Sequence, residues 1–383
     1  MSYATSMKVE CVDQEAPFLA LRDEWETLRL NSEMASCFLS HDWVRCCWEE
    51  LKPYNAMRVF VVRNEGRSVL IAPCMLSRLS EKRFPVTSLT FITHPETQIS
   101  DMLILQESQG CQAVSALLHY LLTERAKEWS LLLFEKLPSD SLTAYYLRES
   151  LGEARVRWQS AISHESLIIP LDKDWQKYLA EKSPRFRKTL RNVANRMAKL
   201  ERATVKTYEG KCAAGEAIEK LFAVSDASWK VADGIAITSS TQRMRFFKEL
   251  MDGAVTAEKV RIVILEVDGK PIASETQIID GGIVYALRSD YDDRYADSSP
   301  GSFLQIEILK ELFASPYAEY NFGVGLNSYK SRWTEKRRQL LRFRIYNHTL
   351  CGLFLDTAYR WEPKMTQLPG VRLLSRVFSV GPW

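Results

Sequence analysis

Two spacings of apolar residues take turns along the chain. In "MKVECV", "SLTFIT" and "SLLLFEKL" the apolar side chains alternate or run together over a few residues, the pattern of half-buried or buried strands. Between them, "FLALRDEWETLRL", "HDWVRCCWEEL" and "CQAVSALLHYLLTERAKE" place apolar residues mostly three and four apart, which predicts helices with one buried face. "RVFVVRNEGRSVLIAPCML" predicts two strands around an Asn-Glu-Gly turn. "SDSLTAYYLRESL" opens on capping residues and predicts a helix, and "ESLIIPL" closes this half as a strand. Strands and helices in turn predict an α/β protein.

The second half repeats the order. "RVFVVRNEGRSVLIA" aligns with "RIVILEVDGKPIASE": Arg58 with Arg261, Gly66 with Gly269 and Arg67 with Lys270, all at one offset of 203 residues. An acidic residue, Glu65 or Asp268, precedes each glycine. A shared element order together with this match points to a structural duplication. A chain of 383 residues is also long for a single core. The expected organisation is two domains, 1–170 and 171–383, with the boundary near Pro170 to Trp175.

Composition narrows the class. Hydrophobic residues at 46% and charged residues at 26% describe a soluble globular protein. A net charge of +3 is too small for wholesale coating of nucleic acid, though it leaves room for a local basic patch. The eight cysteines, Cys212 among them, form no Cys-x-x-Cys pair, and most have apolar neighbours. This suggests reduced thiols in a cytoplasmic protein. The five histidines stand singly, so no metal is expected. "MSYATSMKVECVDQ" lacks the basic and apolar regions of a secretory signal, and no apolar run is long enough for a transmembrane segment.

Three stretches carry candidate chemistry. In "GIVYALRSDYDDRYADSSPGSFLQIEILKELF", a strand over Ile283 to Arg288 leads through Ser298, Ser299, Pro300 and Gly301 into a helix. Free N–H groups and the positive dipole end of that helix would suit an anion such as a diphosphate; an ordinary capped helix explains the residues as well. "AEYNFGVG" is the next strand, and "LNSYKSRW" follows it. Gly323 and Gly325 lack the third glycine of a dinucleotide fingerprint, because Ser328 takes that place. They suit a splayed strand and close backbone approach instead. The third stretch is the helix "SPRFRKTLRNVANRMAKLER". Phe186, Leu190, Val193, Met197 and Leu200 form an apolar stripe, and the seven cations from Arg185 to Arg202 are opposed only by Glu201. It is either a solvated basic face or a clamp over residues 185–202 for a polyanion: a nucleotide-sugar or lipid diphosphate, a tRNA stem or an anionic membrane surface. The helix lacks interleaved stacking aromatics, and with the near-neutral total charge this weighs against nucleic acid.

From Val267 to Trp333 the chain resembles the C-terminal domain of cellulose-biosynthesis-type acetyltransferase-like proteins. These belong to the GNAT (acyl-CoA N-acyltransferase) superfamily and are related to the Fem peptidyltransferases. Four features in order carry the resemblance: Asp-Gly-Lys-Pro-Ile-Ala from Asp268, Tyr291-Asp292, Ser299-Pro300-Gly301, and Phe-Gly-x-Gly from Phe322 followed by Tyr329, Lys330 and Trp333. It covers about residues 175 to 346, and more loosely the whole chain. One departure stands out: Asn321 occupies a place where the family usually has an aspartate.

The resemblance implies two tandem GNAT-like domains, each a mixed twisted sheet flanked by helices. The first would be degenerate, since "ITHPETQISDMLIL" lacks the small-residue helix start, and would wall an acceptor cleft between the domains. Acyl-CoA would be the co-substrate, held by Ser299, Gly301, Ser302 and Arg294. Tyr329 would protonate the leaving thiolate, and Asp292, with Asp293 beside it, would serve the acceptor amine. Lys330, Trp229, Tyr291 and Asn321 would meet the acceptor, a small molecule or a glycan precursor. Each also has a plainer structural explanation: packing for Tyr329 and Trp229, solvation for Lys330, a turn for Asp292 and Asp293. The expected function is acyl transfer to an amino group on a cell-envelope or exopolysaccharide precursor. An aminoacyl-tRNA-dependent peptidyltransferase and a non-catalytic scaffold of a polysaccharide-synthesis system are the competing readings.

Overall fold

The computed structural model describes residues 7–81, 84–105, 109–200, 202–210, 215–253 and 256–365; Glu201 and Cys212 lie outside them. The first half builds β1 (Lys8–Val12), α1 (Glu15–Ala20), α2 (Arg22–Leu30), α3 (His41–Leu51), the hairpin β2 (Ala56–Asn64) and β3 (Arg67–Glu81), β4 (Phe84–Phe91), a short β5 (Leu103–Ile104), α4 (Gly110–Thr123), β6 (Leu131–Pro138), α5 (Leu142–Glu153) and β7 (Arg157–Pro170). The second half builds α6 (Trp175–Ala180), α7 (Pro184–Met197), β8 (Ala203–Glu209), α8 (Glu216–Asp226), α9 (Thr241–Asp252), the hairpin β9 (Val260–Val267) and β10 (Lys270–Asp280), β11 (Ile283–Tyr291), α10 (Pro300–Phe313), β12 (Glu319–Val324), β13 (Arg337–Tyr346) and α11 (Leu350–Met365).

The strands form one mixed sheet in the order β1-β2-β3-β4-β6-β13-β7-β12-β11-β10-β9-β8, with β5 attached to β3. Each half contributes an antiparallel series that ends in one parallel pair, β4 with β6 and β11 with β12. The two aligned hairpins turn alike. Glu65 and Gly66 have φ of 49° and 84°, and Asp268 and Gly269 have 50° and 76°. Two consecutive left-handed residues make the hairpin turn that matches strand twist, and glycine at the second place adopts it freely. The aligned arginines also behave alike: Arg58 pairs with Glu128 at 2.7 Å, and Arg261 with Glu209 at 3.1 Å.

At the centre the halves exchange strands. β13, from the second half, pairs with β6 of the first; β7, from the first half, pairs with β12 of the second. The exchanged strands then pair with each other in a long antiparallel ladder, Arg337 to Tyr346 against Leu167 to Arg157. No edge is left between the halves, so the sheet is continuous. Helices cover it, and the halves also pack through side chains. Phe38 meets Tyr285 edge-on at 5.1 Å and Trp43 meets Phe246 at 5.6 Å, while the Cys37 N–H donates to Asp280 Oδ2 at 2.8 Å. The helix starts follow their sequence signals. The Ser183 hydroxyl accepts from the Phe186 N–H with Pro184 in the first position of α7, and Leu190, Val193 and Met197 form its buried stripe.

Because β13 completes both halves, they should unfold together. Phe343, fully buried on β13, stacks on Trp158 at a centroid distance of 6.0 Å. Phe343→Ala should cost about 3–5 kcal/mol. In urea titrations, circular dichroism and tryptophan fluorescence should shift together as one transition.

Candidate active site

β11 and β12 pair only from Ile283 to Tyr285, against Glu319 to Asn321. Beyond that point β11 runs on to Tyr291, while β12 turns against β7 with a register break between Asn321 and Val324. Among the described residues no strand takes the vacated edge of β11. A cleft of about 550 Å³ opens there.

Local chemistry enforces the parting. Gly323 has φ of +77°, and a Cβ there would lie 2.6 Å from the Ala286 carbonyl oxygen. Only glycine fits a left-handed backbone pressed this close to its neighbour. The Asn321 side-chain oxygen accepts from the Gly323 N–H at 2.9 Å, and the Val324 N–H donates to Gln98 Oε1 of the first half at 2.9 Å. Lys330 Nζ then donates to the carbonyls of Gly323, Val324 and Gly325 at 3.2, 3.3 and 3.2 Å. The lysine folds its own loop onto the end of β12. Burial pushes its ammonium down to about 8, against the pull of Glu275 and Glu96.

At one end of the cleft stands the start of α10. Ser299 adopts a left-handed conformation, φ 57° and ψ 51°, before Pro300 in the first helical position. The N–H groups of Gly301 and Ser302 fall in the first turn, where a helix offers them no partner. Gly301 sits against Tyr291, whose ring would lie 3.4 Å from an added Cβ. Arg196, from the basic helix α7, donates to Ser299 Oγ at 2.8 Å. Two N–H groups and the positive end of the helix dipole therefore face the cleft, with a cation bonded to the residue that caps them.

The floor is polar and buried. Glu275 Oε1 accepts from Tyr320 Oη at 2.8 Å and Gln277 Nε2 at 2.6 Å, and Oε2 accepts from Ser289 Oγ at 2.8 Å. Burial raises the carboxyl of Glu275 despite these hydrogen bonds. Gln305 Nε2 and Ser274 Oγ are buried with no partner among the described residues, and both side chains line the cleft. Such groups await a ligand or water. Tyr329 lies over this floor; burial raises its hydroxyl, with the Ser302 hydroxyl beside it favouring ionisation.

A chain of ion pairs closes the other wall. Lys230 meets Asp290 at 2.5 Å, Arg288 meets Asp290 at 2.9 Å, and Arg288 reaches Glu96 of the first half at 3.4 Å. Burial would raise Asp290, but Lys230 and Arg288 outweigh it and hold the carboxylate below its usual range. Glu96 ends the chain with one long contact to Arg288. Its loop is held firmly: Gln98 Nε2 donates to the Glu96 carbonyl at 2.8 Å, and Lys136 Nζ donates to the Thr97 carbonyl at 2.6 Å.

Of the residues singled out in the sequence, the cleft brings together Tyr291, Ser299, Gly301, Ser302, Trp229, Tyr329 and Lys330. It does not take in Asp292, Asp293, Arg294 or Asn321. Asp292 is turned to structural use: its carboxylate caps the turn Asp293–Ser298 and pairs with the Arg294 guanidinium at 2.6 Å, an attraction that lowers its pKa. Arg294 is engaged by that same pair. Asn321 holds Gly323 from beneath the strand. The sequence reading passed over Glu275, Asp290, Arg288 and Glu96. A polar run, Ser274 to Gln277, inside an otherwise apolar strand was the available signal for Glu275, because buried polar groups need partners. Glu96 is remote in sequence and carried none. Among the described residues, no three His, Cys, Asp or Glu side chains gather as a metal site requires.

The fold has counterparts. Residues 184–331 match the family model described as Acetyltransferase (GNAT) domain. A comparison with curated protein sequences gives no match. Among solved structures, the chain resembles FemX, with a TM-score of 0.54 and 11% identity over 87% of this chain and 96% of that one. It also resembles the C-terminal domain of a putative lysylphosphatidylglycerol synthetase from Agrobacterium fabrum, with a TM-score of 0.52 and 13% identity over 90% and 97%. A third is L-PGS from Bacillus licheniformis, with a TM-score of 0.51 and 14% identity over 84% and 97%. At such identities the likeness concerns the fold alone. The protein thus has a GNAT-type acyltransferase fold: an α/β architecture of two GNAT-like halves on one large mixed sheet flanked by helices. Its second half contains the stretch matched as a GNAT acetyltransferase domain.

Two predictions follow from the glycine turn. Gly323→Ala should destabilise the protein by about 2 kcal/mol or more, from backbone strain and the close carbonyl, as read from urea midpoints. For Lys330 the folded pKa of about 8 lies below its ordinary 10.5, so between these values the unfolded chain binds more protons. Stability should therefore gain a rising component from pH 8 toward 10.5, absent in Lys330→Met, when unfolding is measured at each pH.

Proposed function

We propose that the second half, 171–383, transfers an acyl group from acyl-CoA to an amino group, and that the first half, 1–170, is a degenerate partner lending one wall. The observation that carries this reading is the parting of β11 from β12 beside the α10 start. It joins an anion-binding helix end, a free strand edge and a half-buried tyrosine in one cleft. The residues present fit such a donor. Gly301 and Ser302 N–H groups with Arg196 would hold a diphosphate. The edge of β11 could take an amide-bearing arm, and the unpartnered Gln305 and Ser274 lie along the way.

Acyl transfer forms a C–N bond and breaks a C–S bond, so the amine must lose a proton and the thiolate must gain one. Tyr329, kept protonated by burial, is suited to donate to the thiolate. Glu96, at the loose end of the ion-pair chain, is suited to hold the acceptor amine and take its proton, the task first expected of Asp292. Lys330 fixes the loop that carries Tyr329, and its positive charge favours an anionic group on the acceptor. The half-exposed Trp229 and the Tyr291 ring suit a glycan face. The resemblance to cellulose-biosynthesis-type proteins supports a cell-envelope or exopolysaccharide precursor as acceptor and a cytoplasmic reaction, where acyl-CoA is available.

A second reading is an aminoacyl-tRNA donor; the contact from basic α7 to the helix start favours it. Titration calorimetry separates the readings. Acetyl-CoA should bind to the wild type and fail to bind to Gly301→Glu, which blocks the helix start. Binding of charged tRNA without acetyl-CoA would favour the second reading, and binding of neither would leave the scaffold. If acetyl-CoA binds, Tyr329→Phe should lower thiol release in the presence of an amine acceptor by about a hundredfold at unchanged donor affinity.

A further inference from the structure

A second groove, of about 460 Å³, runs between α6, α7 and α10. Its floor is apolar, formed by Trp175, Leu179, Leu190, Ala194 and Ile306. Three cations, Arg187, Arg191 and Lys310, stand among its lining residues and no carboxylate does; Lys310 is paired with Glu307 at 2.7 Å, which leaves the two arginines uncompensated. It shares no lining residue with the acyl-transfer cleft.

The charge around it is one-sided. Residues 173–200 carry nine Lys and Arg side chains against two carboxylates, in a chain whose net charge is only +3. Both carboxylates are taken locally, Glu181 by Lys173 at 2.7 Å and Asp174 by Lys177 at 3.0 Å. Arg185, Lys188, Arg191 and Lys199 are exposed, and no carboxylate of the described residues pairs with them. Helical spacing puts Arg187, Leu190, Arg191 and Ala194 on the groove side, with Lys188 continuing the cationic arc beyond Arg191 and Lys199 in the turn that follows the helix.

An apolar slot beside an unneutralised cationic arc matches a ligand that is hydrocarbon on one side and anionic on the other. Nucleic acid would find the cations but no free stacking platform. The groove's aromatic, Trp175, already stacks on Tyr178 at 5.6 Å. Among the described residues no helix is long and apolar enough to cross a membrane, so contact would be at the surface.

We propose that this face docks on an anionic phospholipid bilayer, with lipid phosphates on Arg187, Lys188 and Arg191 and hydrocarbon entering the groove. The test is flotation of the full chain with phosphatidylcholine vesicles, with and without phosphatidylglycerol. Binding should require the anionic lipid and weaken as salt rises. Lys188→Ala and Arg191→Ala should each lower the partition coefficient about fivefold. Ala194→Phe, which fills the groove and leaves every charge in place, should lower vesicle binding and leave binding of a single-stranded oligonucleotide unchanged. Equal binding to uncharged vesicles would overturn the proposal. So would an oligonucleotide bound as tightly as the anionic vesicles, or vesicle binding indifferent to Ala194→Phe in a variant with native circular dichroism. None of these variants touches the α10 start, so acetyl-CoA affinity should hold throughout, and the two readings fail separately.

Discussion

The close approach of the Gly323 backbone to the Ala286 carbonyl is the constraint on which the site depends. Parallel strands would ordinarily stay paired along their length, since each unpaired N–H and C=O costs free energy when buried. Here β12 leaves β11 after three residue pairs, and the lost ladder bonds are replaced individually. Gln98 accepts from Val324, Asn321 accepts from Gly323, and Lys330 covers three carbonyls in a row. The free edge of β11 is then available to a ligand at little structural cost. The work of Asn321 here is to accept one N–H, which an amide oxygen does as well as a carboxylate.

The same device, met twice in a duplicated fold, explains why the cleft opens at the β11–β12 parting and not at its first-half counterpart. In the first half β4 and β6 also pair over three residues, Ser88 to Thr90 against Leu131 to Leu133. Lys136, on β6 just beyond that pairing, has a left-handed φ of 58°. There the vacated space is filled by the chain itself. The Ser100 N–H donates to the Lys136 carbonyl at 3.0 Å, and Lys136 Nζ bonds the Thr97 carbonyl. The filling loop presents Glu96 to the other half's cleft. A half that fills its own wedge thereby supplies a charged group to its partner.

Much of the fold was legible in the sequence because the signals were local. Apolar period placed the helices and strands, and Glu65-Gly66 matched Asp268-Gly269 because one backbone requirement selects both pairs. The exchange of β7 and β13 was hidden, since a buried strand of alternating residues satisfies either sheet and nothing in "RRQLLRFRIY" names its neighbour. The site divided along the same line. Ser299, Gly301 and Tyr329 belong to short motifs with local geometry. Asp292 misled because an aspartate before a turn serves a cap as readily as a reaction, and only the position of Arg294 distinguishes the two. Glu96 lies nearly 200 residues from Arg288 and is brought there by the loop that fills the first wedge.

The chain Lys230–Asp290–Arg288–Glu96 bears on how the cleft could work. Buried charges are costly unless paired, and Asp290, fully enclosed, is met from both sides. Among the described residues the direct ion pair of Glu96 is one long contact to a guanidinium already committed to Asp290 and to the Ile235 carbonyl at 2.7 Å, with Lys330 and Lys136 acting on it only through their fields. The Glu96 end of the series thus has room for one more direct partner. A cationic amine arriving there would complete it and be held by charge, while the fixed pairs behind it would not need to rearrange. Releasing the proton is easier where the amine also meets the positive field of Lys330 and Arg288, which favours its neutral form. Attraction by one carboxylate and repulsion by two cations are therefore set against each other in the same few ångströms. That balance is what an amine needs if it must be captured charged and react neutral.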